Sequence, residues 1–309
     1  MKLRIGNITC IFACATSFFT WADTQSAFTF SGKADASAIY NSALSVDELD
    51  DVSTQSDSGQ ELNAMLQGKW KINDKAQVTS RYAYSQQRYN QYSQYDLELH
   101  QFSVDGSYKF TQREFGLRFD GAKARLETGT FLDFQQMSVY LGTFIQPETF
   151  LRTSLKFKNK SFTQLYERDA NGFGASADLF HFLNNANTMF MIGLSGEIEN
   201  AHDNQFNYWG AGLNTKLTHK FDMFGLASKV GIGWRYQYKD YESVEVSDLQ
   251  ASYNIQRDEN RQVIQADWVL NIFDNLSVVT EVQRGDYKSK VESLTYQQNI
   301  ASLGLNYTF

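Results

Sequence analysis

The sequence predicts an all-β protein, a transmembrane antiparallel up-and-down β-barrel of about 14 strands. Three observations predict it. Apolar and polar residues alternate through long segments, the connections between those segments are short and long in turn, and no stretch past the N-terminus is apolar enough for a membrane helix. Successive strand side chains point to opposite faces, so a segment with one apolar and one polar side separates two solvents. Strands of soluble sandwiches run to about 5 or 6 residues, whereas about 9 to 11 tilted residues cross a bilayer.

Composition narrows the class further. A mean hydropathy of −0.44 with 15% aromatic residues and a single proline suits strands that are only half apolar. A helical membrane protein is excluded, because about 18 uninterrupted apolar residues are needed to span. The formal charge of −7 speaks against nucleic acid as a partner.

The chain opens on an export signal, residues 1–22, and residues 23–309 are read as the barrel. Lys2 and Arg4 form its positive end, Ile8 to Phe19 its apolar stretch, and Thr20-Trp21-Ala22 a small-residue cleavage site. Cys10 and Cys14 both lie inside it, so the processed chain would hold no thiol.

Beyond the signal, short polar turns recur at Asn73-Asp74-Lys75, Thr111-Gln112-Arg113, Gln146-Pro147-Glu148, Asn184 to Asn187, Lys220-Phe221-Asp222 and Asp274-Asn275. Each gap accommodates one hairpin of two long strands. Longer polar segments fall between them, at Ser45 to Gln60, Asn90 to Gln94, Asn159 to Ala170 and Glu242 to Glu259. Short turns at one end and long loops at the other is the arrangement of bacterial outer-membrane barrels. No segment is long enough for an obvious plug domain, and the acids from Asp47 to Asp57 read as a solvated charge run rather than a cation loop.

Register follows from the clearer strands. Leu62, Ala64, Leu66, Trp70 and Ile72 alternate with Asn63, Gln67, Lys69 and Lys71; Val230, Ile232, Trp234, Tyr236 and Tyr238 alternate with Lys229, Arg235, Gln237 and Lys239. Trp268 and Leu270 share the apolar side of the following strand. Aromatic residues gather at strand ends, at Phe28, Phe30, Trp70, Tyr82, Tyr84, Tyr108, Phe110, Tyr236 and Tyr238, as interfacial girdles do. The last strand sets Leu303, Leu305, Tyr307 and Phe309 against Ser302, Gly304, Asn306 and Thr308. It resembles the closing strand of outer-membrane barrels, which makes Leu305, Tyr307 and Phe309 the expected assembly signal and the barrel-assembly machinery a partner.

The same register assigns the candidate lumen. Arg152, Lys156 and Lys158 on the seventh strand and Lys229, Arg235 and Lys239 on the eleventh point inward, with Asp178, Glu197, Glu199, Asp267 and Glu281 on neighbouring strands. One account is cross-strand ion pairs bracing a polar interior. The other is a transverse field, basic on one arc and acidic on another, that orients an anionic or dipolar solute.

The first strand, leading through Ala38-Ile39-Tyr40-Asn41-Ser42-Ala43-Leu44 into Asp47-Glu48-Leu49-Asp50-Asp51, and the run from Arg257-Asp258-Glu259-Asn260-Arg261 through the final hairpin resemble the C-terminal barrel of the surface lipoprotein assembly modifier family. The resemblance implies a barrel that helps move lipoproteins to the cell surface. The family's helical-repeat domain has no counterpart here, where a strand follows the signal almost directly.

No His-Glu-x-x-His, Gly-x-Ser-x-Gly or phosphate-binding glycine loop occurs, and His202-Asp203 stands alone in a polar loop, so no catalytic residue, metal or cofactor is assigned. The expectation is therefore a non-enzymatic barrel in the outer membrane of a Gram-negative bacterium, in contact with lipid and lipopolysaccharide. Its function is either a pore with a polar, mixed-charge lumen for small solutes, or a non-conducting barrel that serves export or assembly through its loops and a periplasmic partner.

Overall fold

The computed structural model describes residues 27–127, 129–242, 244–248, 251–255 and 257–309. The export signal expected at 1–22 lies outside the described residues.

Fourteen antiparallel strands close into one barrel. In chain order they are β1 (Phe28–Asn41), β2 (Asp57–Lys71), β3 (Ala76–Tyr89), β4 (Leu97–Lys109), β5 (Arg113–Leu126), β6 (Gly129–Gln146) and β7 (Thr149–Phe162). The second half comprises β8 (Ala170–Leu183), β9 (Thr188–Ala201), β10 (Tyr208–Met223), β11 (Leu226–Tyr241), β12 (Asp258–Phe273), β13 (Leu276–Ser289) and β14 (Tyr296–Thr308). Each pairs with its sequence neighbours, and β1 meets β14 from Lys33 opposite Thr308 to Asn41 opposite Ile300. The shortest of them has 13 residues and the longest 18, so all exceed what a bilayer crossing requires.

The apolar parity faces outward. Leu66, Phe157, Phe173, Leu194, Ile198, Ile232, Ile264, Val282 and Leu303 are all exposed on the outer surface. In water such a belt would carry a heavy hydrophobic penalty; in lipid it carries none. A girdle of Phe28, Phe30, Trp70, Tyr108, Phe110, Phe273, Tyr307 and Phe309 rings the short-turn end. Tyr40, Trp209 and Tyr238 mark the other interface, the last two meeting edge to face at 5.3 Å. Closure at the C-terminus is local: the Phe309 and Gly32 backbones exchange hydrogen bonds of 3.0 and 2.9 Å. The Phe309 ring lies where a Cβ on residue 32 would stand, so only glycine leaves it room.

One expected turn is displaced. Lys220, Phe221 and Asp222 continue β10, and the chain reverses at Phe224-Gly225, where φ is 54° and 76°. A two-residue hairpin turn needs positive φ at both positions, which outweighs the polar signal three residues earlier. The loop expected from Asn159 shrinks to 163–169 because β7 runs on to Phe162. The loop expected to end at Gln60 ends before Asp57.

The largest departure is that first loop. Residues 42–56 do not extend into solvent as a solvated charge run. They form a short hairpin, Leu44–Val46 against Asp51–Ser53, around a 3-10 turn at Asp47–Leu49, and they fold into the barrel mouth. Leu44 is 0% exposed and packs with Val46 and Tyr95; Leu49 joins Leu97, Leu99, Ala124, Leu132 and Phe162. Apolar side chains inside a loop have no reason to stay in water when an apolar seat is within reach, and burying each contributes roughly 1.5 to 3 kcal/mol.

Candidate functional site

Inward parity brings the charged residues of β7 to β12 round one half of the interior. On β7 the exposed Leu155 and Phe157 point out, so Arg152, Lys156, Lys158 and Lys160 rise in a ladder toward the mouth. On β11 the exposed Ile232 fixes Lys229, Arg235 and Lys239 inward. Asp178 on β8, Glu197 and Glu199 on β9, Asp267 on β12 and Glu281 on β13 share the inward side, each one residue from an outward apolar neighbour.

The structure joins some of these and leaves others apart. Lys158 Nζ lies 2.8 Å from Glu197 and 3.2 Å from Glu199, and Lys160 Nζ lies 3.2 Å from Glu199. The Tyr208 hydroxyl stands 2.9 Å from Glu197 and 3.1 Å from Glu199. Asp267 takes Lys216 at 2.7 Å. Cross-strand pairing thus accounts for these four sequence-assigned residues. It does not account for Arg152, Lys156, Lys229, Arg235 and Lys239, which make no ion pair among the described residues, nor for the acids Asp178 and Glu281. Instead the Arg152 guanidinium stacks 3.8 Å from the Tyr140 ring and the Lys239 ammonium 4.4 Å from that of Tyr208. Lys229 stands directly opposite Lys220, both inward. Like charges placed opposite each other cost stability, so pairing alone does not explain them.

The acids are not gathered on an arc of their own. Glu197 and Glu199 sit between the two basic ladders, because β9 lies between β7 and β11 in the barrel. The expected transverse separation gives way to a basic surface with embedded carboxylates. Two of the cavities in the interior border the basic wall closely. One of about 440 Å³ is bordered by Arg81, Arg118, Arg152 and Lys156 with Asp120 and Asp178. The other, of about 300 Å³, lies toward the mouth between the basic wall and the first loop.

Sequence reasoning missed Arg81 and Arg118, although their outward neighbours Tyr82, Leu117 and Phe119 would have given their parity. It also missed the loop. Glu48 reaches Lys160 at 2.9 Å; Asp50 takes Arg257 at 2.6 Å and Arg168 at 2.8 Å; Asp47 takes Arg261 at 2.7 Å. Arg257 and Arg261 also share Glu259, and Arg257 is almost wholly buried. Burial opposes ionisation of Glu48, but Lys160, Lys239 and Lys158 outweigh it and hold its carboxyl below the ordinary value. Burial likewise opposes Asp50, where Arg257 and then Arg168 prevail in the same direction. On the far side of the loop, burial and donation to Asp51 push the Tyr95 hydroxyl up to about 12.

Among the described residues no cluster of acids, histidines or cysteines is placed to hold a metal ion. Asp203 accepts hydrogen bonds from Gln205, and His202 packs edge-on against Tyr166, so the two are committed locally. Leu305, Tyr307 and Phe309 project outward at the short-turn end.

No family model matches the chain, and no curated protein matches it. Solved structures do. The outer membrane channel DcaP of Acinetobacter baumannii superposes with a TM-score of 0.54 at 10% identity, covering 91% of this chain and 97% of that one. The anion-selective porin from Comamonas acidovorans gives 0.51 at 8% identity, covering 91% and 99%. CdiB from Acinetobacter baumannii gives 0.49 at 10% identity; it matches 89% of this chain, which spans 60% of CdiB. The fold is that of an outer-membrane β-barrel.

Proposed function

We propose that this barrel is an outer-membrane pore for small anionic solutes, narrowed at its extracellular mouth by its own first loop. The observation that carries the reading is the set of inward cations without ion pairs among the described residues, Arg152, Lys156, Lys229, Arg235 and Lys239, which spans the interior of a chain that is acidic overall. Cations held without a carboxylate partner, at a cost in self-repulsion where Lys229 faces Lys220, serve a negatively charged visitor. Support for the location comes from the apolar outer belt and its two aromatic girdles, and the even strand count returns both ends of the barrel to the periplasmic side. An N-terminal export signal and recognition of Phe309 by the assembly machinery belong to the same reading. Two of the similar structures are titled a channel and an anion-selective porin.

Reversal potential in a salt gradient across a planar bilayer tests it. The wild-type barrel should favour anions, and Lys156→Glu with Arg235→Glu should shift it toward cations while the lipid face stays intact. An unchanged reversal potential would refute the lumen assignment.

A second reading has one observation in its favour: the first loop fills much of the mouth. A barrel that conducts nothing in the same bilayers would fit export or assembly through loops and a periplasmic partner, as the resemblance to lipoprotein assembly modifiers implies.

A further inference from the structure

We propose that the cavity beneath the first loop is a binding subsite for a small oxyanion, and that the Glu48 carboxylate occupies its edge as a built-in competitor. The inference deepens the pore reading by naming the solute class. It stands on three features of the mouth.

The first is an imbalance. Lys158, Lys160 and Lys239 face this cavity of about 300 Å³. Glu197 and Glu199 answer Lys158 and Lys160 and are further fixed by Tyr208, so neither reaches Lys239. Without Glu48, the lining holds six cations, these three lysines with Arg168, Arg257 and Arg261, against the four carboxylates of Asp47, Asp50, Glu197 and Glu199. The second is the placement of Lys239, whose ammonium rests over the Tyr208 ring with no ion pair among the described residues. A cation on the wall of a cavity, held by a ring rather than a carboxylate, keeps its donors available.

The third is the manner in which Glu48 is held. Among the described residues its carboxylate touches only Lys160, and its side chain keeps nearly half its surface exposed toward the cavity. The loop backbone does not depend on it, being fixed by Leu44 and Val46 in their apolar seat and by Asp50 on two arginines. Glu48 can therefore swing aside while the loop stays in place. The lysines that keep its carboxyl ionised would favour any other carboxylate, sulfate or phosphate oxygen set there, since ammonium–oxyanion hydrogen bonds are the strong kind.

Titration calorimetry of the refolded full barrel in zwitterionic detergent, with sodium sulfate against sodium chloride at constant ionic strength, reads binding without requiring conductance. One sulfate should bind per chain. Lys239→Gln should weaken it about tenfold, the worth of one charged hydrogen bond. Glu48→Gln should tighten it by about threefold, the worth of a partly exposed ion pair that no longer competes. Lys288→Gln, on the outer rim and paired with Asp286, should change nothing. Opposite signs at Lys239 and Glu48 are the signature; a structural role for either would weaken binding in both. No sulfate bound by the wild type and by Glu48→Gln, or equal binding by Lys239→Gln, would overturn the subsite even if the barrel conducts anions. Binding that follows the pattern in a barrel without conductance would sink the pore reading and leave the subsite standing.

Discussion

Replacing Asp50 by Asn should unlatch the first loop. The carboxylate accepts two hydrogen bonds from Arg257, at 2.6 and 3.0 Å, and one from Arg168 at 2.8 Å. Arg257 is 5% exposed, and without Asp50 its only remaining carboxylate among the described residues is Glu259. Removing one partner of a fully buried ion pair costs roughly 3 to 5 kcal/mol, but Asp50 borders an open cavity and an amide still accepts one hydrogen bond, which brings the expected loss to about 2 to 3 kcal/mol. At about 1.4 kcal/mol per factor of ten, the open population of the loop should rise roughly 30- to 140-fold. The loop contains no Lys or Arg and one Glu, so a Glu-specific endoprotease reports its opening at the Glu48–Leu49 bond, followed by mass spectrometry. Where opening and closing outpace cleavage, the rate tracks the open population. A rate for Asp50→Asn within about threefold of wild type would mean that the apolar seat alone fixes the loop and that the arginine latch adds under about 0.7 kcal/mol.

The same assay carries a pH dependence. Glu48 and Asp50 have folded-state values held below their ordinary 4.5 and 3.8, so their stabilising contribution is complete above those values and declines as pH falls through and beneath them; cleavage with an acid-tolerant protease should stay slow at pH 5 to 7 and accelerate below about pH 4. Leu194, 59% exposed at the middle of β9, should destabilise by roughly 2 to 4 kcal/mol as Arg, whereas Arg at the inward Ser195 should cost far less; equal urea midpoints in folded vesicles would put the register off by one. Gly32→Val and deletion of Phe309 should each lower the heat-modifiable folded fraction in outer membranes, because both remove the contact that seats the terminal ring. Full folded levels for both would disprove that closure argument.

The barrel was legible because each long strand carries the same period-two pattern and a one-residue slip would turn every side chain over. Leu62 to Lys71, Leu226 to Lys239 and Leu303 to Thr308 state the register without help from their neighbours, and the strand numbers assigned to Arg152 and Lys229 match the observed β7 and β11. Turn positions were less legible where the deciding factor is backbone conformation. At Phe224-Gly225 the positive φ belongs to an exposed phenylalanine and a glycine, while the more polar Lys220-Phe221-Asp222 remains in the strand.

The inward fold of the first loop was hidden for a different reason. Its acids meet Lys160, Arg168, Arg257 and Arg261, more than a hundred residues away, and only closure of the barrel brings them to one mouth. A period of two says which side of a strand faces the lumen; it says nothing of whether a loop at its end turns in or out. The sequence did contain one signal, the apolar Leu44, Val46 and Leu49 among the acids, since a loop meant for solvent does not require them. They seat the loop on the β3 to β6 side, and the carboxylates then reach the basic wall opposite. That division of labour bears on function. An apolar anchor is insensitive to salt, whereas exposed charge pairs weaken with it, so rising ionic strength should loosen Glu48 from Lys160 before it frees the loop. The mouth would then present Lys160 and Lys239 to a passing anion with the constriction still in place.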